Sequence, residues 1–261
     1  AVFVIGFIVF LFRETKAPSP MMPLGIWKNR LITFANAATL TSGAIMIGLS
    51  SFLPTYVQGI MGYSAIVAGF TLTAMSIGWP LASTLAGFLI LKTGPRTTAM
   101  CGGISMVIGA VFFVLLDPAK GPLWAGMGSF FIGIGMGLTS TTFIVSIQNS
   151  VDWKTRGVAT ASNMFMRILG SSLGAALLGG LLNGQLKDFL NEKEAKLGQS
   201  VSIDTANILL DGSQRSRFSE KTLEILQEGL TSALHTVYWG VFFLAVLTLL
   251  LTIYLPKRSG R

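Results

Sequence analysis

The chain has 261 residues, of which 51% are hydrophobic and 11% are charged, and its mean hydropathy is +0.67. So few polar side chains cannot cover the surface of a water-soluble domain, and lipid must therefore act as the solvent. The net charge of +8 comes from basic residues spread through short loops, so a nucleic-acid partner is not expected.

The first apolar run, residues 1–12, reaches only about half of the roughly 20 residues that cross a bilayer as a helix. It has neither the basic segment nor the small-residue cleavage site of a secretory signal peptide. We interpret it as a truncated transmembrane helix of a longer polypeptide, followed by a cytoplasmic loop over 13–31.

Six longer apolar runs follow, and each has the length of a transmembrane helix and lacks the alternating pattern of a membrane strand. Their predicted bounds are 32–57, 65–91, 97–116, 123–147, 158–182 and 235–255. Residues 32–182 thus hold five helices, and residues 235–255 form the last one. The predicted fold class is an all-α membrane protein, a six-helix bundle preceded by the end of another helix.

Basic residues in alternate loops predict the orientation, because loops rich in Lys and Arg stay in the cytoplasm. One set of loops holds eleven of the 19 basic residues: Arg13, Lys16, Lys28, Arg30, Lys92, Arg96, Lys154, Arg156, Lys257, Arg258 and Arg261. The other set holds Lys120 and six basic residues in 183–234, where eight acidic residues outnumber them. We therefore predict a multi-pass protein of the cell membrane. Its long extracytoplasmic loop would span 183–234, with helical stretches around 191–197 and 219–230, and its cytoplasmic tail 256–261.

No residues form a nucleophile with its base, a metal-ligand cluster or a phosphate-binding loop, so we expect neither an enzyme nor a metal or cofactor. Cys101 is the only cysteine, which rules out an intrachain disulfide. All eleven acidic residues lie in predicted loops. A proton-coupled transporter needs a titratable group within the membrane, so its coupling carboxylates would have to lie outside this chain.

Two glycine pairs are spaced by four residues, Gly133 with Gly137 and Gly170 with Gly174, which puts both members of a pair on one helix face. Small residues at this spacing let helix backbones approach closely, so the four positions predict helix packing. The alternative is functional, since smooth helix faces could slide past each other during a conformational cycle.

Arg167 is the only charged residue deep within a predicted span, roughly 13 Å along the helix from its cytoplasmic end. An unpaired charge is costly at that depth, so the side chain must face the bundle interior or a water-filled cavity. Asn163 lies one turn earlier and is expected to hydrogen-bond it. Two roles stay open for Arg167: a structural bond to a neighbouring helix, and contact with a substrate or anion.

The loop after the span 65–91 contains Gly87, Lys92, Gly94 and Arg96 within one ten-residue stretch. Their spacing resembles the signature cytoplasmic loop of the major facilitator superfamily, a family of membrane transporters. Leu91 stands where that signature has an Asp, a departure that removes the charge on which a relay through this loop would depend.

Further segments resemble the fourteen-span drug:proton antiporter branch of that superfamily. They are Pro23–Leu24, Asn29–Arg30, Leu53–Gln58, Gly62–Ser64, Ala68–Gly69, Ile147–Val151, Arg156–Asn163, Arg167 and Leu169–Gly170. In that branch two extra helices join two six-helix bundles. The resemblance implies that this chain is the C-terminal bundle with the end of a linker helix. Its partner would be the N-terminal half of the same polypeptide, which we expect to be a monomer at full length.

The resemblance also implies alternating access, with the substrate held between the two bundles near the middle of the membrane. We expect proton-driven export of a lipophilic or cationic small molecule, with this chain forming one wall of the cavity. Candidate wall residues are Asn36, Thr39, Gly43, Met46, Trp79, Met136, Thr139, Asn163 and Arg167. The alternatives are export of another substrate class, such as a lipid, siderophore, amino acid or self-made antibiotic, and a non-transporting membrane scaffold or sensor.

Overall fold

The structure is a computed structural model that describes residues 24–197 and 220–256, together with positions 6, 9, 12 and 13. Of the predicted helix 1–12, the described positions Gly6, Val9 and Phe12 are helical, and its other residues lie outside the described part. Most of the predicted loop 13–31, the segment 198–219 and the tail residues 257–261 lie outside it as well.

Six helices are long and apolar enough to cross a membrane, and the described residues contain no strand. They are α1 (Arg30–Gly59), α2 (Ala65–Thr93), α3 (Pro95–Val114), α4 (Gly121–Asn149), α5 (Arg156–Leu197) and α6 (Glu220–Ile253). The predicted all-α membrane fold is confirmed, and the short links between the first five helices reverse the chain at each membrane face.

Local sequence signals set the helix starts. The side chain of Asn29 caps α1 by accepting a hydrogen bond from the backbone N–H of Leu31 at 3.0 Å, and Ser64 caps α2 in the same way through Val67 at 3.4 Å. Gly94 ends α2 and precedes Pro95, the first residue of α3. Its φ of 86° lies in the left-handed region, where a glycine is favoured, so a single residue turns the chain from one helix into the next.

The helices pack in a pattern that sequence order does not reveal. α2 packs mainly on α4, α1 on α5, and α6 on α1 and α3. The most apolar stretches of α1 and α4 are therefore 67% and 61% buried, whereas those of α2 and α5 are only 17% buried. α2 and α5 thus lie at the edges of the bundle and leave most of their surface uncovered.

The predicted loop 183–234 differs from what the structure shows on both of its flanks. α5 continues without a break to Leu197, and α6 already begins at Glu220, so both helices run well past the predicted membrane boundaries. Leu186, Leu190 and Leu226 are buried between the two extensions, and Lys193 pairs with Glu228 at 3.2 Å. The predicted helical stretches are thus helical, and each is continuous with a membrane-spanning helix.

Two close helix contacts are built on the predicted glycine pairs. A Cβ at Gly170 would meet the carbonyl oxygen of Leu40, and one at Gly174 would lie 2.5 Å from the Cα of Ala44, so both glycines press α5 against α1. On α4, the backbones of Met75 and Trp79 in α2 occupy the space where the Cβ atoms of Gly133 and Gly137 would be. Only glycine permits these backbone distances.

Candidate functional site

Arg167 lies on α5 with its guanidinium between two other helices. Its Nη2 donates a hydrogen bond to the Oγ of Ser140 on α4 at 2.9 Å, and its Cζ lies 5.3 Å from the centroid of the Trp79 ring on α2. A cation over the face of an indole is attracted by the negative charge of the ring face. The side chain is half-buried, and its Nε has no hydrogen-bond partner among the described residues. One guanidinium thus links three helices and keeps an unused donor.

Ser140, which accepts the hydrogen bond from Arg167, is a residue that the sequence did not single out. It lies in the polar run Thr139–Thr142 in the middle of α4, which interrupts an otherwise apolar span. Such a run is a signal that could have identified it, since polar side chains at this depth need partners. The run alone does not say which of its four members turns toward Arg167.

Asn163 does not hydrogen-bond Arg167, contrary to the prediction. Its Nδ2 donates to the Oδ1 of Asn36 at 2.9 Å and to the Oγ1 of Thr39 at 2.8 Å, both on α1. Asn36 in turn donates to the Oγ of Ser162 at 3.2 Å. The side chain of Asn163 points into the contact between α1 and α5, while the longer Arg167 side chain reaches past that contact to α4. Asn163 and Arg167 therefore belong to two separate sets of hydrogen-bonded side chains.

The Asn36, Thr39 and Asn163 side chains are all fully buried, so they do not line an open surface in this conformation. The amide oxygen of Asn163 lacks a hydrogen-bond partner among the described residues. In an apolar solvent, polar side chains find their hydrogen-bond partners on neighbouring helices. This network therefore holds α1 and α5 together. Gly43 belongs to the same contact, since the carbonyl oxygen of Arg167 lies where its Cβ would be.

The remaining predicted wall residues divide into two groups. Met46 is half-buried beside the main core, and Met136 is buried within it. Thr139 is not brought to Arg167: its hydroxyl donates to the Gly135 carbonyl at 2.8 Å, and its methyl carbon packs against Gly102 of α3. One turn of α4 therefore presents Ser140 to Arg167 and Thr139 to the opposite neighbour.

The predicted signature loop joins α2 to α3. Gly87 and Lys92 are exposed, and Gly94 makes the turn between the helices. Arg96 is half-buried and, together with Arg30, lines a cavity beside the end of α6. Leu91, in the place of the signature Asp, is 86% exposed, so no charged partner for the basic residues of this loop stands there.

A cavity of about 680 Å³ lies elsewhere, between α2 and α4. Apolar side chains such as Phe70, Ile77, Leu123, Met127 and Phe130 line it, and none of the predicted wall residues does. The α2 residues that line it lie on a different side of the helix from Trp79, given 100° of rotation per residue. This cavity therefore does not open onto Arg167 and its partners Trp79 and Ser140.

Curated proteins similar to this chain include transporters named for multidrug resistance. A multidrug transporter protein of Bacillus subtilis, MdtP, is 28% identical over 94% of this chain and 50% of its own length. Multidrug resistance protein 3 of the same organism is 26% identical over 98% of this chain and 51% of its own length. The chain thus spans about half the length of the curated relatives it matches.

A solved structure with the same fold is the fucose:proton symporter of Escherichia coli, with a TM-score of 0.64, 14% sequence identity, and coverage of 88% of this chain and 51% of the symporter. At this identity the similarity shows the fold alone. A family model described as the Major Facilitator Superfamily matches residues 1–175. That match covers more than half of the chain and confirms the family predicted from the signature loop. The chain belongs to the major facilitator superfamily, whose members are membrane transporters and not enzymes.

Proposed function

We propose that this chain is the C-terminal bundle of a longer secondary transporter that exports lipophilic or cationic small molecules by alternating access. The observation that carries the proposal is the position of Arg167, a half-buried cation held by Trp79 and Ser140 and paired with no carboxylate of the described residues. The described acidic residues lie at the helix ends and in the extensions of α5 and α6. Such a charge marks a substrate or ion pathway in membrane proteins.

A second bundle is the expected partner, and the uncovered faces of α2 and α5 support its position. One face of α2 carries a row of small exposed residues spaced three or four apart: Gly69, Thr73, Ser76, Pro80, Thr84 and Gly87. A second helix can approach such a row closely. The coverage of only half of the relatives' length fits a second bundle of similar size. The expected assembly is a single polypeptide with its C-terminal tail in the cytoplasm.

We propose that transport is coupled to protons and that the titratable carboxylates lie in the other bundle. Arg167 remains protonated at any physiological pH and cannot carry a proton itself. It can instead stabilise an ionised carboxylate of the other bundle that faces it across the proposed substrate cavity. Protonation of that carboxylate would break the ion pair. The fucose symporter is named for proton coupling, and the Bacillus relatives are named for multidrug transport or resistance. We propose both properties for the longer polypeptide.

Dye efflux from cells that express the longer polypeptide tests the proposal, with and without a proton uncoupler. We expect the uncoupler to abolish efflux and Arg167→Ala to reduce it strongly. Arg156→Ala is the matched control, since Arg156 also stacks on a tryptophan, Trp153, at 5.2 Å but lies at a helix end. Efflux that persists with the uncoupler would refute proton coupling. Absence of efflux for a panel of lipophilic dyes would favour another substrate class or a non-transporting scaffold or sensor.

A further inference from the structure

Two arginines line a cavity of about 300 Å³ at the end of the bundle where α1 and α3 begin and α6 ends. Its other walls come from the segment Ile253–Pro256. We propose that this cavity binds the phosphate group of an anionic phospholipid. The site is separate from the Arg167 group, and its ligand would be a component of the membrane and not a transported molecule.

Positive charge accumulates in this cavity, and no acidic residue of the described part of the chain lines it. Arg30 is the first residue of α1 and Arg96 the second of α3, so both lie where a helix terminus has partial positive charge. The C-terminal end of α6 carries partial negative charge, which can offset the partial positive charge of only one of these two helix termini. Neither guanidinium makes an ion pair or a hydrogen bond within the described part of the chain. The acidic residue described at this end, Asp152, lines a different cavity.

Arginine is well suited to this ligand because its planar guanidinium can donate two parallel hydrogen bonds to phosphate oxygens. The Arg30 guanidinium already has a defined position, since its Cζ lies 5.5 Å from the centroid of the Phe34 ring. The Phe34 ring stacks in turn on Tyr254 at 5.6 Å. An aromatic pair therefore holds one arginine at the mouth of the cavity before any ligand binds.

The surroundings of the cavity fit a lipid better than a soluble anion. Tyr254 is 56% exposed at the end of α6, the level at which tyrosine rings occupy the boundary between water and membrane. Leu250 lies one turn further into the membrane on α6, and Ile104 two turns beyond Arg96 on α3, both exposed. A phospholipid with its phosphate at the arginines would thus place its acyl chains against exposed apolar side chains. Free phosphate has no acyl chains and would gain nothing from these contacts.

The chain that follows the cavity adds charge of the same sign. Lys257 and Arg258 come directly after Pro256, Arg261 follows three residues later, and no acidic residue follows Glu228. Basic residues next to a transmembrane helix attract anionic lipids. This end of the protein would therefore concentrate such lipids near the cavity.

Native mass spectrometry of the detergent-purified chain tests the site with two phospholipids that have the same acyl chains, phosphatidylglycerol and phosphatidylcholine. We expect phosphatidylglycerol to bind more tightly, and the R30Q/R96Q variant to weaken its binding by at least roughly 30-fold, because both guanidinium groups would lose their charge-assisted hydrogen bonds to the phosphate. The control K92Q/K154Q removes the same charge from exposed lysines at this end that do not line the cavity. It should bind nearly as tightly as the unmodified chain.

Equal weakening in both double variants would overturn the proposal in favour of general charge attraction, and equal binding of both lipids would overturn it directly. Inorganic phosphate is the third arm: if it displaces phosphatidylglycerol at low millimolar concentration, the site is one for a soluble anion. Circular dichroism checks that the variants remain helical. If R30Q/R96Q unfolds, R30K/R96K decides, because it keeps the charge but loses the paired hydrogen bonds. It should bind several-fold more weakly, and unchanged binding would overturn the site.

Discussion

The guanidinium of Arg167 lies over the ring of Trp79, with 5.3 Å between Cζ and the ring centroid, although the two residues belong to helices with little direct contact. Ser140 accepts a hydrogen bond from the Nη2 of the same guanidinium. A charge deep in the bundle is therefore oriented by one aromatic face and one hydroxyl from two different helices. Changes to either partner should alter the direction in which the charge points without removing it.

Replacing Trp79 with Leu removes the ring face and keeps an apolar side chain. The lost cation–π attraction is about 0.5–2 kcal/mol, which corresponds to a shift of about 2- to 30-fold between positions of the guanidinium. We expect efflux by the longer polypeptide to fall several-fold in Trp79→Leu and to be largely retained in Trp79→Phe. Trp239→Leu, a change to an exposed tryptophan on α6, serves as the control. Equal activity of the Leu and Phe variants would show that the ring face is not used.

Replacing Gly174 with Ala should destabilise the contact between α5 and α1. The added Cβ would lie 2.5 Å from the Cα of Ala44, so the helices must move apart. Overpacking of this kind costs about 1–3 kcal/mol. Unfolding in mixed micelles, followed by tryptophan fluorescence, measures the loss. Gly180→Ala is the matched control on the same helix, since no atom lies within 4 Å of its Cβ position, and it should be neutral or slightly stabilising. Equal effects of the two changes would contradict the packing interpretation.

The Asn36–Asn163 pair should show energetic coupling. Single changes to Ala break the 2.9 Å bond between the two amides, and the double change cannot break it again. A double-mutant cycle on unfolding free energies should give a coupling of about 0.6 kcal/mol, and not more than about 1.7 kcal/mol. Asn163→Ala combined with Ser172→Ala is the control, because Ser172 is exposed and bonds only within its own helix at 3.2 Å. Additive changes at Asn36 and Asn163 would mean that the amides stabilise the bundle independently.

The orientation proposed from the basic loops can be tested by labelling single cysteines in a Cys101→Ser background. Asp117→Cys, in the loop between α3 and α4, should react with a membrane-impermeant maleimide in intact cells. Lys154→Cys, between α4 and α5, should react only after the membrane is permeabilised. Both residues are exposed, so accessibility within the protein does not bias the comparison. The reverse pattern would invert the proposed topology, because the two loops lie on opposite faces of the membrane.

The spans could be predicted from the sequence because crossing a bilayer imposes a length and an apolar composition that can be counted residue by residue. α2, for example, was expected at 65–91 and occupies Ala65–Thr93. The glycine spacing is equally local, so the four predicted glycines lie at close helix contacts. These features depend on no knowledge of which helix is the neighbour.

The partners of Arg167 and Asn163 depend on that knowledge. Asn163 and Asn36 are 127 residues apart, and Arg167 and Ser140 are 27 apart, so only the packing order of the helices brings them together. Helical stretches were predicted around 191–197 and 219–230, but the sequence did not show that α5 would continue unbroken from its span to Leu197. Their stability depends on contacts between the two helices, such as Phe189 against Gly229, and not on apolarity along either one.

The unbroken length of α5 gives a small motion near the membrane centre a large effect at its end. Forty-two residues span about 63 Å, roughly twice the thickness of the hydrocarbon layer, and Arg167 lies in the first third of that length. From Arg167 to Leu197 the axis extends about 45 Å, so a tilt of about 10° about Arg167 would move the far end by about 8 Å. A tilt of α5 about Arg167 would therefore displace the far part of the helix, where Lys193 pairs with Glu228 of α6, much more than the charge itself.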